Sequence, residues 1–337
     1  MRLIALVESP DHVCCRYRLD AFRPYLEAHG RSLETHPWPR HWWDWAATLR
    51  LTRRADAVIL QRRLPARWQR ALLRRASKVL FYDFDDAVFG RDSHAARGFH
   101  STRRLRRFAA TCRAADAVIA GNAYLRDAAR RWTAAERVHV VPTCIDPGRY
   151  PLARHDRPGG NVEMVWLGSS STLRGLEANR SLLEQLGERI PGLRLKLVCD
   201  RFFQLARLSV LPIPWTEIGE AGELAGADVG ISWMPDDQWS RGKCGLKVLQ
   251  YMAAGLPVVA NPVGVHVQMV RHGENGYLAE TPSQWQEAIE RLADDPDLRR
   301  RMGAAGRRRV EADYAVPRGA ETWLRLLNRF AGRCAAA

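Results

Sequence analysis

From Gly242 to Val259 the chain reads Gly-Lys-Cys-Gly-Leu-Lys-Val-Leu-Gln-Tyr-Met-Ala-Ala-Gly-Leu-Pro-Val-Val, and few architectures accommodate such a run. From Cys244 to Ala254 the composition is that of a buried helix, with Leu246, Val248, Leu249, Met252 and Ala253 all apolar. Gly255-Leu-Pro ends that helix, and Val258-Val-Ala enters a short buried strand directly afterwards. Lys243, Lys247 and Gln250 interrupt the apolar pattern at spacings of four and three, which places them on one face of one helix. A lysine on a mostly buried helix is costly unless an anion meets it. The helix start after Ser240-Arg-Gly242 also presents free backbone N–H groups and the positive end of the helix dipole. Two lysines, a helix N-terminus and an amide one turn further on suit a diphosphate followed by a ribose. A half-exposed helix whose lysines reach water fits the same spacing.

The wording from Lys243 to Gly264 resembles the donor-site signature of retaining GT-B glycosyltransferases, glycosyltransferase family 4 and its close relatives. The resemblance implies an α/β chain of GT-B fold, two doubly wound Rossmann-like domains facing a central cleft. It implies an acceptor-binding domain over residues 1–155 and a nucleotide-sugar-binding domain over 156–315. The last segment, 316–337, would cross back as a helix onto the first domain. Lys247 matches the lysine that such enzymes set against the distal phosphate. In the family two glutamates separated by seven residues flank this helix start, the second touching the ribose. Gly242 and Gln250 stand at those places, so both acids are missing here. Gln250 can still hydrogen-bond a hydroxyl, without charge.

Composition narrows the other classes. A chain of 337 residues is comfortable for two domains, and 46% hydrophobic with 26% charged residues is a globular profile. No apolar run approaches the length of a membrane span, and Met1–Val7 reads as a strand rather than a signal peptide. The seven cysteines show no CxxC pair and no metal spacing, as expected of reduced thiols in a cytoplasmic protein. The net charge of +15 is one-sided. Residues 1–150 carry 28 Lys and Arg against 15 Asp and Glu, hence +13 of the total. That asymmetry favours an anionic partner for the first half, with a solvated surface as the plain alternative.

Along the chain, apolar strands alternate with helices. Leu3–Val7 leads into a loop without a GxGxxG pattern and then a helix from about Arg16 to His29; Arg16 and Arg18 are the residues there able to touch a phosphate. Trp38-Pro-Arg-His-Trp-Trp-Asp-Trp45 packs four tryptophans into eight residues, which suits a membrane interface, a ligand groove or a tucked loop. On the helix Arg67–Ser77, positions 67, 70, 74 and 78 form a basic stripe able to lie on anionic lipid or to stay solvated. The strand from Lys78 ends in Asp83, Asp85 and Asp86. Asp83-Phe-Asp85 imitates a metal-binding DxD, but Asp-Asp-Ala-Val-Phe resembles the N-terminal domain of the family already named, where these acids would position the acceptor. His94 and His100 follow in a loop, a second basic helix spans Arg103–Arg113, and Asn122 caps a helix to about Arg131. Residues 151–161 read as the linker. Beyond it, Val162–Gly168 is a strand, and Ser169-Ser170 at the following helix start can cradle phosphate oxygens. The family carries a basic residue followed by Gly in this loop, a place that Arg174-Gly175 fits. The segment around Trp215 would meet the nucleotide base.

The resemblance implies a glycosyltransferase that moves a sugar from a UDP- or GDP-linked donor to an acceptor hydroxyl, with retention. Lys247, Arg174 and the helix start would stabilise charge on the departing diphosphate without a metal or other cofactor, while Asp85 or Asp86 orients the acceptor. Donor contacts are expected from Gly168, Ser169, Ser170, Lys243, Cys244, Gly245, Gln250 and Trp215, and acceptor-side contacts from Arg16, Arg18, His100 and Asn122. Expected partners are the nucleotide-sugar, a lipid-linked or other anionic acceptor glycan, and an anionic membrane surface under the basic first half. The expected place is the cytoplasm and the cytoplasmic face of a membrane. Two alternatives stay open: a nucleotide-sugar-binding protein without transferase activity, suggested by the missing glutamates, and a basic nucleic-acid-binding protein.

Overall fold

The structure, a computed structural model, describes residues 1–156 and 160–335. Of the linker expected over 151–161, residues 157–159 lie outside the described residues. The chain divides into two compact units. One comprises Met1–Cys144, the segment Asp237–Cys244 and the chain from Val316 on; the other comprises Ile145–Asp236 and Gly245–Ala315.

The first unit is built on strands β1 (Arg2–Val7), β2 (Ser32–Pro37), β3 (Ala57–Gln61), β4 (Val79–Phe84), β5 (Ala117–Ala120) and β6 (Val138–Val140). They form one parallel sheet in the order β2-β1-β3-β4-β5-β6. Alternate residues feed two cores, Ile4, Leu6, Val58, Leu60 and Tyr82 on one face and Leu3, Ala5, Ile59 and Phe81 on the other. A parallel sheet covered on both faces needs such near-continuous apolar strands. The helix Val316–Ala335 covers the second face, with Trp323 and Phe330 edge-on to Phe81.

Two local expectations change here. The helix expected over Arg16–His29 is broken into Val13–Arg18, a 3₁₀ turn at Asp20–Phe22, and Arg23–Ala28. Pro24 accounts for the break, because in one continuous helix its ring would meet the carbonyl four residues earlier. Strand β2 had no counterpart in the sequence reading. It is an edge strand with only Leu33 buried, so it lacks the apolar run that betrays its neighbours.

The second unit carries β7 (Val162–Leu167), β8 (Leu193–Cys199), β9 (Ser209–Pro214), β10 (Val229–Ser232), β11 (Val258–Ala260) and β12 (Gly276–Leu278). All pair in parallel in the order β12-β11-β10-β7-β8-β9. The order reverses between β7 and β10, and in open α/β sheets ligands settle beyond the strand ends at that reversal. The loop Gly168–Ser170 leaves β7 at this point.

Candidate functional site

The reversal point of the second sheet is served by the helix Leu246–Ala253. It begins later than its composition implied. Gly245 holds the left-handed conformation (φ 66°), and a Cβ there would meet Met269 Sδ at 2.6 Å and Val265 Cγ2 at 2.9 Å. Glycine is therefore required on two counts, conformation and space. No side chain caps this helix start, which leaves backbone N–H groups for a ligand or water.

Lys247 lies in the first turn, half-buried, with Nζ 4.1 Å from the centre of the Trp166 ring on β7. An ammonium over an indole face is attracted by the negative face of the ring, which helps to hold it in place. Behind it His266 is buried, its Nδ1 2.8 Å from the Asn261 carbonyl and its Nε2 3.1 Å from Ser232 Oγ. Burial, with the Lys247 charge adding to it, brings the His266 pKa down from 6.5 to about 4.

That shift sets a pH window. The unfolded chain takes up a proton between about pH 6.5 and 4 that the folded chain refuses. The contribution to stability is therefore intact above pH 6.5 and lost as pH falls towards 4. It amounts to about 3 kcal/mol in full. Urea titrations of wild type and His266→Gln across this range should show a shallower pH dependence in the variant; identical slopes would refute the assignment.

Gln250 is buried, and its Nε2 donates to the Tyr150 hydroxyl at 3.2 Å. The loop after β7 departs from the expected phosphate cradle. Ser170 donates both its backbone N–H (2.6 Å) and its hydroxyl (2.9 Å) to Asp200 at the end of β8. Those two bonds, the hydroxyl's first, hold the Asp200 carboxyl below its usual range. A carboxylate already sits where a phosphate oxygen was expected, and Asp200 carried no signal in the sequence. Ser169 bonds the Ser171 hydroxyl at 2.8 Å, and a Cβ on Gly168 would meet Thr172 Oγ1 at 2.8 Å. Arg174 is exposed on the helix Ser170–Glu177 and makes no ion pair among the described residues. Trp215 is partly exposed, its Nε1 bound to Glu220 at 3.0 Å.

Lys243 and Cys244 belong elsewhere. Lys243 is not on the helix with Lys247: the 3₁₀ turn Ser240–Gly242 and the left-handed Gly245 separate it, and it falls in the first unit. There Lys243 Nζ pairs with Asp86 at 3.1 Å and lies 5.0 Å from the Trp239 ring centre. The Cys244 thiol is buried and donates to the Asp85 carbonyl at 3.2 Å. Asn122 caps the helix Ala123–Arg130 as expected, but its amide nitrogen is committed to the Gly242 (3.1 Å) and Lys243 (2.9 Å) carbonyls. It is a clamp on this segment rather than an acceptor contact.

The clamp also accounts for the missing first glutamate. A Cβ on Gly242 would lie 2.8 Å from both the nitrogen and the Cβ of Ala87, so the segment packs only without a side chain there. Gly242→Glu should therefore destabilise the protein by about 1–3 kcal/mol through overpacking. An unchanged urea midpoint in that variant would mean that the segment yields.

The acid cluster is compensated by three cations. Arg18, expected as an acceptor-side contact, is fully buried and binds Asp83 and the Val141 carbonyl. Burial opposes the Arg18 charge, yet Asp83 holds its pKa above the usual range. Arg62, which the sequence reading missed, pairs with Asp86 and lies 3.5 Å from Asp85. Among the described residues it is the one non-glycine with positive φ, 57°. Such a conformation costs on the order of 1–3 kcal/mol and is typical of functional loops. Burial raises the Asp85 carboxyl, but Arg62, Arg18 and Lys243 outweigh it and hold the group below its usual range, ionised at neutral pH. Asp83 is committed to Arg18, so the DxD resemblance does not extend to a carboxylate pair open to a cation. Among the described residues no group of three or more His, Cys, Asp or Glu is placed to hold a metal.

Arg16 stacks on Tyr17 and donates to its hydroxyl at 2.7 Å. His100 is exposed at the rim of a cavity of about 340 Å³, lined also by Thr102, Arg106, Arg113 and Trp132. His94 is exposed in the same loop.

Comparison with known proteins adds to this geometry. Residues 238–309 match the model of the family described as "Glycosyl transferases group 1". The chain is 28% identical over 201 residues to a D-inositol 3-phosphate glycosyltransferase of Pseudarthrobacter chlorophenolicus, covering 52% of this chain and 46% of that protein. It is 33% identical over 81 residues to spore coat protein SA of Bacillus subtilis, covering 23% and 22%. The matched stretches thus span less than half of either relative. Among solved structures, Anabaena HepE, in complex with UDP and glucose, superposes with a TM-score of 0.73 at 17% identity over 98% of this chain and all of that one. Sucrose-phosphate synthase from Thermosynechococcus elongatus gives 0.73 at 18% identity, over 100% and 99%. The fold is GT-B: two six-stranded parallel sheets, each with flanking helices.

Proposed function

We propose that this protein is a retaining glycosyltransferase of the family 4 type. It moves a hexose from a UDP- or GDP-linked donor to an acceptor hydroxyl, with no metal and no other cofactor. The observation that carries this reading is Lys247, a cation steadied over Trp166 beside the uncapped start of the helix Leu246–Ala253, at the strand-order reversal of the second sheet. Its supports are the family match, which includes that helix, and the glycosyltransferase names of several relatives.

In this mechanism the diphosphate lies against Lys247 and the helix start. Charge growing on the leaving group as the glycosidic bond breaks is met by fixed positive groups, which cost no reorganisation at that moment. Arg174, exposed and without an ion pair among the described residues, adds a second cation. The departing phosphate oxygen takes the acceptor proton, so no dedicated base is required. Asp85 and Asp86, set beside Arg62 and Lys243, accept a hydrogen bond from the acceptor hydroxyl. Gln250 reaches the ribose only by exchanging its bond to Tyr150.

The acceptor is a lipid-linked or other anionic glycan, and the protein works at the cytoplasmic face of a membrane. Among the described residues no helix is long and apolar enough to cross one. The similarity to a D-inositol 3-phosphate glycosyltransferase favours neither a binding-only protein nor a nucleic-acid binder.

Release of UDP or GDP from a panel of nucleotide-sugars, with candidate acceptors and with EDTA throughout, tests the proposal. Turnover that survives EDTA with one donor is the expected result. Turnover abolished by EDTA and restored by Mg²⁺ or Mn²⁺ would overturn the metal-free mechanism.

A further inference from the structure

We propose that the Trp42–Trp43 turn and the helices Arg67–Ala76 and Thr102–Ala114 form one face that docks on a bilayer containing anionic phospholipid. This deepens the reading of a lipid-linked acceptor and rests on it for its purpose, but the binding itself requires neither donor nor acceptor.

The tryptophan-rich stretch is sorted by burial. Trp38 and Trp45 are in the core, whereas Trp42 is 77% and Trp43 58% exposed. Trp45 meets Trp68 edge-on, with ring centres 5.2 Å apart, and Trp68 on the helix Arg67–Ala76 is itself 50% exposed. The buried indole thus ties the turn to that helix and brings three outward tryptophans into one neighbourhood. Singly exposed apolar residues are ordinary; three large amphipathic rings together are not.

The charges converge on the same place. The helix Arg67–Ala76 packs beside Thr102–Ala114. Their sequences, Arg-Trp-Gln-Arg-Ala-Leu-Leu-Arg-Arg-Ala and Thr-Arg-Arg-Leu-Arg-Arg-Phe-Ala-Ala-Thr-Cys-Arg-Ala, contain no Asp or Glu. Arg74 is neutralised by Asp116 at 2.8 Å. Arg107 donates to the Leu64 carbonyl at 3.3 Å, which carries its charge to the head of the first helix. There Arg70 is held below its usual pKa range by burial and by its neighbours Arg67 and Arg107. Like charges gathered without an acid repel one another until an anion arrives.

One partner satisfies both features. Phosphate headgroups meet the arginines, and indoles settle at the headgroup level with the ring in the acyl boundary and N–H in the polar layer. A single-stranded nucleic acid would also supply phosphates and would stack its bases on the indoles. Here one face of Trp43 is already covered by His41, with ring centres 4.5 Å apart and planes within 6°, and Trp42 stands edge-on to Trp43. Protruding, mutually packed rings favour insertion over base stacking.

Sedimentation of the full chain with phosphatidylcholine vesicles, with and without phosphatidylglycerol, tests this directly. Binding is expected to the anionic vesicles and to weaken as salt rises. Trp42→Ser with Trp43→Ser should lower the partition, and Arg67→Gln with Arg70→Gln should separately lower it about thirtyfold, both at unchanged melting temperature. Quenching of tryptophan emission by spin-labelled lipid should be reduced in the first pair, which keeps only Trp68 of the three outward indoles. Equal partition of wild type and both pairs, or no preference for anionic vesicles, would overturn the proposal. So would single-stranded RNA that displaces the protein from vesicles and binds the variants as weakly as lipid does, since the face would then be a nucleic-acid site. Because no sugar is transferred in this assay, its failure leaves the transferase reading standing, and an inactive protein that binds vesicles leaves this one standing.

Discussion

Lys247→Ala is expected to lower kcat by about 10²–10³-fold, the effect of removing one preorganised charge from a site where a leaving group develops negative charge. The substitution should leave the fold in place. Lys247 is half-buried, and its side-chain amine lies over Trp166. A cation–π contact of this kind is worth about 0.5–2 kcal/mol. The loss should fall on kcat more than on KM, because the charge on the diphosphate is greater when the sugar is leaving than in the bound donor. Lys247→Arg should recover part of the rate. Turnover within about threefold of wild type in Lys247→Ala, with binding of UDP or GDP by calorimetry unaltered, would remove the lysine from the chemistry.

Arg18→Ala should be the most destabilising single change in the first unit. It strands Asp83, a carboxylate with no access to water, and frees the Val141 carbonyl that Arg18 also binds. Breaking a buried pair from one side costs about 3–5 kcal/mol, because the remaining charge has neither solvent nor the counter-ion it faced. For a protein of this size that corresponds to a fall in melting temperature of roughly 5 °C, measurable by circular dichroism. Replacing both partners, as Arg18→Met with Asp83→Leu, should recover most of the loss, since an apolar pair leaves no uncompensated charge. A single variant as stable as wild type would show that water reaches Asp83.

The two substitutions sit on opposite sides of what a sequence conveys. The helix that carries Lys247 was legible because its signal is local: an apolar run, a cation within it and a glycine-proline stop, all within a few turns. The strands were legible for the same reason, as short apolar runs, and β2 escaped because an edge strand with one buried residue has no such run. Arg18 was read as a residue able to touch a phosphate because nothing near it announces Asp83, which lies 65 residues on. Arg62 left no mark at all, since a positive φ on an arginine is imposed by its surroundings. Lys243 shows how far periodicity misleads once a backbone conformation intervenes: a spacing of four means one helix face only if the residues between are helical, and Gly245 is not.

By itself, then, the sequence determined the α/β alternation, the two-domain organisation and the helix that presents Lys247, because periodicity and stop signals act over a few residues. Only the tertiary structure decided which charges meet. Sheet order brought the ends of β3 and β4 together, so Arg62 reached Asp85 and Asp86. Chain packing set Asp200 against Ser170 and turned Trp42, Trp43 and Trp68 outward beside Arg67 and Arg70. A carboxylate and a guanidinium find each other through space, and the distances that count are set by the sheet rather than by position along the chain.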